Sequence, residues 1–143
     1  MPRFVLLYHE CPPGYDRPSH WDLMLEAGGS LRTWALLQLP RGWEAARLYS
    51  VSIFPACAAV SPESSVAAEP LGDHRRDYLE YEGSISRERG QVTRVDAGSF
   101  ETISESRQHW HVELCGARLS GQVTLAAGKT NAKGWTLSLN GPN

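Results

Sequence analysis

Ser19-His20-Trp21-Asp22-Leu23-Met24-Leu25-Glu26 is the run on which the reading of this chain turns. As a strand it sends alternate side chains to opposite faces. Trp21, Leu23 and Leu25 then pack into a core, while His20, Asp22, Met24 and Glu26 line the other face. Upstream, residues 3–9 form a second strand pattern, Phe4-Val5-Leu6-Leu7-Tyr8-His9, that ends on an imidazole. Downstream, Ala27-Gly28-Gly29-Ser30 is a turn and residues 31–39 a third strand, which together predict a hairpin. Residues 10–18 hold three prolines and a glycine and read as a loop, because proline removes donors and breaks repetition.

Beyond the hairpin, residues 43–48 suit a short helix and 49–54 a strand. Residues 55–72 are rich in Ala, Ser and Pro, with little periodicity, and read as an irregular excursion. Strand patterns return at 78–82, 91–95, 99–103, 108–114, 118–126 and 134–139, punctuated by Gly90, Gly98, Gly116, Gly121 and Gly134. Many short strands with glycine turns and few helix signals predict an all-β, mainly antiparallel fold. The pattern itself fits an antiparallel barrel or a sandwich; of these a small closed or partly closed β-barrel with one or two short helices, a single domain over residues 1–143, is the expected form. Closure would leave no exposed strand edges.

Composition narrows the function. The 143 residues suffice for a core without staples, and 41% are hydrophobic. Net charge is −2, from 14 basic and 16 acidic residues, which argues against broad non-specific nucleic-acid binding. A local patch is still available, since Arg75, Arg76, Arg87, Arg89 and Arg94 lie close in sequence. Cys11, Cys57 and Cys115 are odd in number and have no zinc-ribbon spacing, so a reducing cytoplasm is expected rather than a disulfide framework. No apolar run approaches the roughly 20 residues that span a bilayer, and the first residues enter a strand at once, without a signal-peptide pattern. No membrane partner is expected.

His9, His20 and Asp22 are the first candidates for chemistry. Two imidazoles and a carboxylate form a sufficient first set of ligands for a divalent metal with open positions, and suit Mn²⁺ or Zn²⁺ without selecting between them. The competing reading makes each histidine a hydrogen-bonded residue at a barrel rim. A third imidazole, His74, sits in Asp73-His74-Arg75-Arg76-Asp77-Tyr78. His109 and His111 form a rival pair on one face and read as rim residues. Trp21, Trp34, Trp43, Trp110 and Trp135 read as core, since aromatics mostly bury area. Cys11, near His9, is the one thiol placed beside a candidate base.

The order His9, His20-Trp21-Asp22-Leu23-Met24-Leu25-Glu26, Thr33-Trp34-Ala35, Asp73-His74, Tyr78, Tyr81-Glu82-Gly83 and His109-Trp110-His111-Val112-Glu113-Leu114 resembles the 3′-phosphoesterase domain of bacterial DNA ligase D. The resemblance implies a small β-barrel and a manganese-dependent activity that removes a terminal ribonucleotide and then a 3′-phosphate from primer strands. It implies His9, His20 and Asp22 as metal ligands, His74 as donor or general acid at the scissile phosphate, and Tyr78 as its support. Met24 stands where the family carries an arginine, and Leu7 where it carries a glutamine. Arg75 and Arg76, or Arg87 and Arg89, are the candidate phosphate-binding replacements.

Three functions are therefore carried forward. The first is a metal-dependent phosphoesterase acting on nucleic-acid 3′ ends in DNA repair, with Mn²⁺ as the expected ion, Zn²⁺ as the alternative, and a separate ligase or polymerase as partner. The second is a nucleic-acid-end or phosphate-binding module that has the barrel without the turnover. The third is a phosphoesterase for a small substrate.

Overall fold

The computed structural model describes residues 1–12, 14–15, 17–49, 59–85, 90–128 and 134–140. Among them, eleven strands follow in chain order: β1 (Arg3–Glu10), β2 (His20–Ala27), β3 (Ser30–Leu36), β4 (Gln38–Leu39), β5 (Ala59–Val60), β6 (Ser65–His74), β7 (Gly83–Ser84), β8 (Gln91–Ser106), β9 (His109–Gly116), β10 (Ser120–Ala127) and β11 (Trp135–Asn140). Hydrogen-bonded neighbours run β1-β2-β3-β6-β11-β10-β9-β8, and β8 pairs back onto β1, closing an eight-stranded antiparallel barrel. β7 extends the sheet beside β8, and β4 and β5 form a two-residue parallel pair. The all-β barrel expected from the sequence is the fold observed. No described helix is long and apolar enough to cross a membrane.

The hairpin that opens the chain follows from its turn. Gly28 and Gly29 have φ of 59° and 89°, so both central residues adopt the left-handed conformation that a two-residue turn needs between twisted strands. Ala27 faces Ser30, and the register runs inward to Trp21 opposite Leu36. Alternation then sorts the side chains. Phe4, Leu6, Tyr8, Trp21, Leu23 and Leu25 fill the barrel interior. Val5, Leu7 and Met24 face outward, where Leu31, Leu79 and Val92 complete a second, smaller core. All five tryptophans are buried, as their reading as core residues expects. Burying each such side chain contributes about 1.5–3 kcal/mol.

Several elements differ from the sequence reading. Residues 65–72, read as part of an irregular excursion, belong to β6, with Val66 and Ala68 buried and Ser65, Ala67 and Glu69 exposed. The period-2 pattern was there, carried by small residues that weigh little on a hydrophobicity scale. Of the strand expected over 49–54, Tyr49 ends a 3₁₀ segment, and residues 50–54 lie outside the described residues, as do 55–58. Residues 78–82 are not a strand; Arg76–Leu79 is a 3₁₀ turn whose Asp77 carbonyl accepts from the N–H groups of Glu80 and Tyr81. Tyr and Leu favour strands only where a pleated neighbour buries them. Here Leu79 is buried against the outer core instead.

The third strand stops at Leu36, and residues 38–39 leave to pair with β5. The short helix expected over 43–48 is a 3₁₀ segment, Glu44–Tyr49. The strands read at 91–95 and 99–103 are one strand, β8, and Gly98 is its corner rather than a turn. Gly98 pairs with Phe4 of β1 and Gly116 of β9, and a Cβ there would lie 2.2 Å from the Cys115 carbonyl oxygen.

Candidate active site

The antiparallel register of β1 and β2 sets His9 directly opposite His20 and Leu7 opposite Asp22. All three polar residues lie on the outward face, yet they are buried, with exposures of 8% for His9, 2% for His20 and 3% for Asp22. The loop between β1 and β2 and the 3₁₀ turn after β6 cover them. Gly90 brings the start of β8 tight against this region: its φ is 95°, and a Cβ would lie 1.8 Å from the Glu10 carbonyl oxygen.

The two imidazole rings stand edge to face, with centroids 4.9 Å apart. His9 Nδ1 lies 3.9 Å from Asp22 Oδ2, and His20 Nε2 lies 3.1 Å from Asp22 Oδ1. His20 Nδ1 sits 2.8 Å from the Pro18 carbonyl oxygen, which can only accept, so Nδ1 carries the proton and Nε2 is turned to Asp22. With the proton on Nδ1, Nε2 has none to give, so the fully buried Oδ1 receives no hydrogen bond from the neutral ring. A carboxylate oxygen and an imidazole lone pair at this distance repel unless a proton or a cation lies with them. The orphaned oxygen and the nitrogen-rich donor set fit a divalent cation.

His20 titrates above its ordinary value of 6.5. Burial is the largest single influence and disfavours the charged ring. The Asp22 carboxylate and the Pro18 carbonyl together outweigh it, and the charge of Arg17 opposes them. In metal-free protein the protonated ring therefore adds stability that is fully present below about pH 6.5 and is lost as pH rises through the raised value. A bound cation needs the neutral ring, so its affinity moves the opposite way and strengthens with pH. Thermal melts at about pH 6 and about pH 8 are expected to show the apo protein weakening with pH while the metal-induced gain grows. A metal-induced gain that shrinks over that interval would refute this assignment.

His9, His20 and Asp22 form one wall of a pocket of about 120 Å³. His74 and Tyr78 reach it from the end of β6 and the following 3₁₀ turn, with rings 5.5 Å apart. The Gly72 carbonyl oxygen, 2.9 Å from His74 Nδ1, holds the proton on that nitrogen and leaves Nε2 with its lone pair in the neutral ring. Met24 contributes its thioether to the lining, in the place the resemblance gives to an arginine. The fold thus brings five of the sequence-derived candidates to one cavity.

Of the expected phosphate-binding arginines, the described ones, Arg75 and Arg76, are not among the residues that line this pocket. Arg76 pairs with Glu26 at 2.7 Å, Arg75 is exposed before the 3₁₀ turn, and Arg89 lies outside the described residues, as does Arg87. Arg17 lines it instead, with its guanidinium 2.6 Å from Glu69, and Tyr15 stands beside His9. Sequence reasoning missed both, because a proline-rich loop has no periodicity to assign a direction to its side chains. Their place between two histidine-bearing strands was the only available signal. His109 and His111 lie away from the pocket, and His111 bonds Gln122 at 3.0 Å.

Comparison with known proteins places the chain in a family. Residues 15–127 match the family described as DNA Ligase D 3′-phosphoesterase domain. His20, Asp22, His74 and Tyr78 fall inside that range, and His9 precedes it. The chain is also similar to the Multifunctional non-homologous end joining protein LigD of Pseudomonas aeruginosa, with 28% identity over 123 residues. That match covers 80% of this chain and 12% of the relative, so the chain spans a small part of the longer protein.

Proposed function

The chain belongs to the DNA ligase D 3′-phosphoesterase domain family, and from that premise we propose a metal-dependent phosphoesterase that clears 3′-phosphates and 3′-ribonucleotides from DNA ends during repair. The observation that carries the reading is the buried, hydrogen-bond-free Oδ1 of Asp22 beside His20 Nε2, with His74 on the same small pocket. His9, His20 and Asp22 would hold a divalent cation, Mn²⁺ foremost, which when bound neutralises phosphate charge and orients the attacking water.

The remaining residues position and move protons. Ligand pockets usually enclose roughly 300–1,000 Å³. At about 120 Å³ this one admits a phosphate but not a nucleoside, so the strand lies outside with its terminus inserted. In its doubly protonated form, His74 gives its Nε2 proton to the leaving oxygen while Nδ1–H stays on the Gly72 carbonyl oxygen, and Tyr78 supports the ring from the side. Arg17 reaches the phosphate oxygens by leaving Glu69, a pair with 40% and 57% side-chain exposure and hence easily exchanged. Catalysis of this kind is mostly positioning and charge stabilisation. A ligase or polymerase that uses the resulting 3′-hydroxyl is the proposed partner.

The test is incubation with Mn²⁺ and a primer-template bearing a 3′-phosphate or a single 3′-ribonucleotide. Conversion to a 3′-hydroxyl is expected, with loss in His20→Ala and His74→Ala. A second reading, an end-binding module without turnover, draws on Met24 in place of arginine and on the engagement of Arg17 with Glu69. Tight binding with no product over long incubation would establish it and overturn the enzyme.

A further inference from the structure

One ligand atom from each of His9, Cys11 and His20 lies within 4.8 Å of the other two. Cys11 follows the last residue of β1 and is buried, at 6% exposure. Its backbone N–H donates to Ser19 Oγ at 3.0 Å, which ties the start of the loop to the start of β2. Its Sγ lies 3.9 Å from the His9 carbonyl oxygen, a weak contact for a thiol donor. An independent pointer to a positive charge here is Asp22, 3% exposed, whose Oδ1 meets His20 Nε2 without a hydrogen bond.

We propose that Cys11 Sγ, as the thiolate, is a ligand of the cation held by His9 and His20, with Asp22 completing the set. The site of this chain is thereby a sulfur-containing one that prefers Zn²⁺ to Mn²⁺. The inference rests on the cation reading above and changes which ion that reading favours. Zinc binds thiolate at about 2.3 Å and imidazole at about 2.0–2.1 Å, so tetrahedral donors end roughly 3.3–3.8 Å apart. Donors already within 4.8 Å need only side-chain rotation to close that gap. Thiolate is a soft ligand and discriminates against the oxygen-seeking Mn²⁺. Binding forms the S–metal bond and releases the thiol proton to solvent, so uptake by wild type liberates one proton more than uptake by a variant without the thiol.

Cobalt reports the bond directly, because a thiolate ligand adds a near-ultraviolet charge-transfer band to Co²⁺. The full chain is titrated with Co²⁺ under reducing conditions, alongside Cys11→Ser, Cys11→Ala and the double variant Cys57→Ser/Cys115→Ser. Wild type and the double variant are expected to show the band. Both Cys11 variants are expected to lose it while keeping the visible cobalt absorption, and their preference for Zn²⁺ over Mn²⁺ in competition is expected to fall by about tenfold or more. Two Cys11 variants guard against one that misfolds, checked by apo melting. Cobalt binding without the band in wild type, or an unchanged band in both Cys11 variants, overturns the inference and leaves the phosphoesterase reading standing. Failure of wild type to take up Co²⁺, Zn²⁺ or Mn²⁺ overturns both.

Discussion

Asp22→Asn is expected to fold normally and to lose turnover on a 3′-phosphate primer by about 10²–10³-fold or more. The substitution preserves shape but removes the buried negative charge that faces His20 at 3.1 Å and His9 at 3.9 Å. Taking one partner from a buried ionic set costs about 3–5 kcal/mol, which corresponds to at least about 100-fold in cation affinity. The apo protein gains something in exchange, since the new amide N–H can donate to His20 Nε2. Two readouts therefore separate. Saturating metal at about 100 times its Kd should stabilise wild type by about 2.7 kcal/mol, or roughly 5–10 °C for a chain of this size. Asp22→Asn should show little of that shift while, at a pH high enough for the His20 ring to be neutral, its apo melting temperature is unchanged or higher. An Asp22→Asn protein with wild-type turnover and a full metal-induced shift would remove the carboxylate from the machinery.

The largest stability loss is expected in the barrel interior. Trp34 is 1% exposed, and its ring meets Trp135 at 5.6 Å and Trp110 at 6.1 Å between centroids. Arg32 lies over the same indole cluster, with its guanidinium 4.9 Å from the Trp34 centroid, 5.3 Å from Trp110 and 5.8 Å from Trp135. A cation over three indoles closes the barrel without an unpaired buried charge. Trp34→Ala should cost about 3–5 kcal/mol, a large share of the roughly 5–15 kcal/mol that holds a domain together. Trp34→Phe should cost under about 2 kcal/mol. It keeps a ring under Arg32 and deletes an indole N–H that is buried without an acceptor. Denaturant unfolding of the pair measures the difference. Equal losses would mean that the N–H, not the packed area, is what the position supplies.

The strands nearest the site were legible because their alternation is strong. His20-Trp21-Asp22-Leu23-Met24-Leu25 writes both faces of β2 into the chain, and Gly28-Gly29 writes the turn that returns it as β3. β6 was not legible, since Ser65, Val66, Ala67 and Ala68 alternate in burial but hardly in hydrophobicity. Tyr78 and Leu79 misled for the opposite reason: strong strand formers that found no strand beside them. β8 read as two strands because Gly98 looks the same in sequence whether it turns a chain or bends one.

The chain by itself determined an all-β, mainly antiparallel fold, the direction of each β2 side chain, and the residue types suited to a cation. Those depend on neighbours two residues apart, and period 2 is a local property. Only the tertiary structure decided that His74 and Tyr78, some fifty residues on from His20, share a pocket with it, that Arg17 rather than Arg75 or Arg76 lines that pocket, and that Cys11 lies beside His9 and His20. Such convergence is set by how distant strands register around a ring and by how a proline-rich loop folds back over it. No local pattern encodes either.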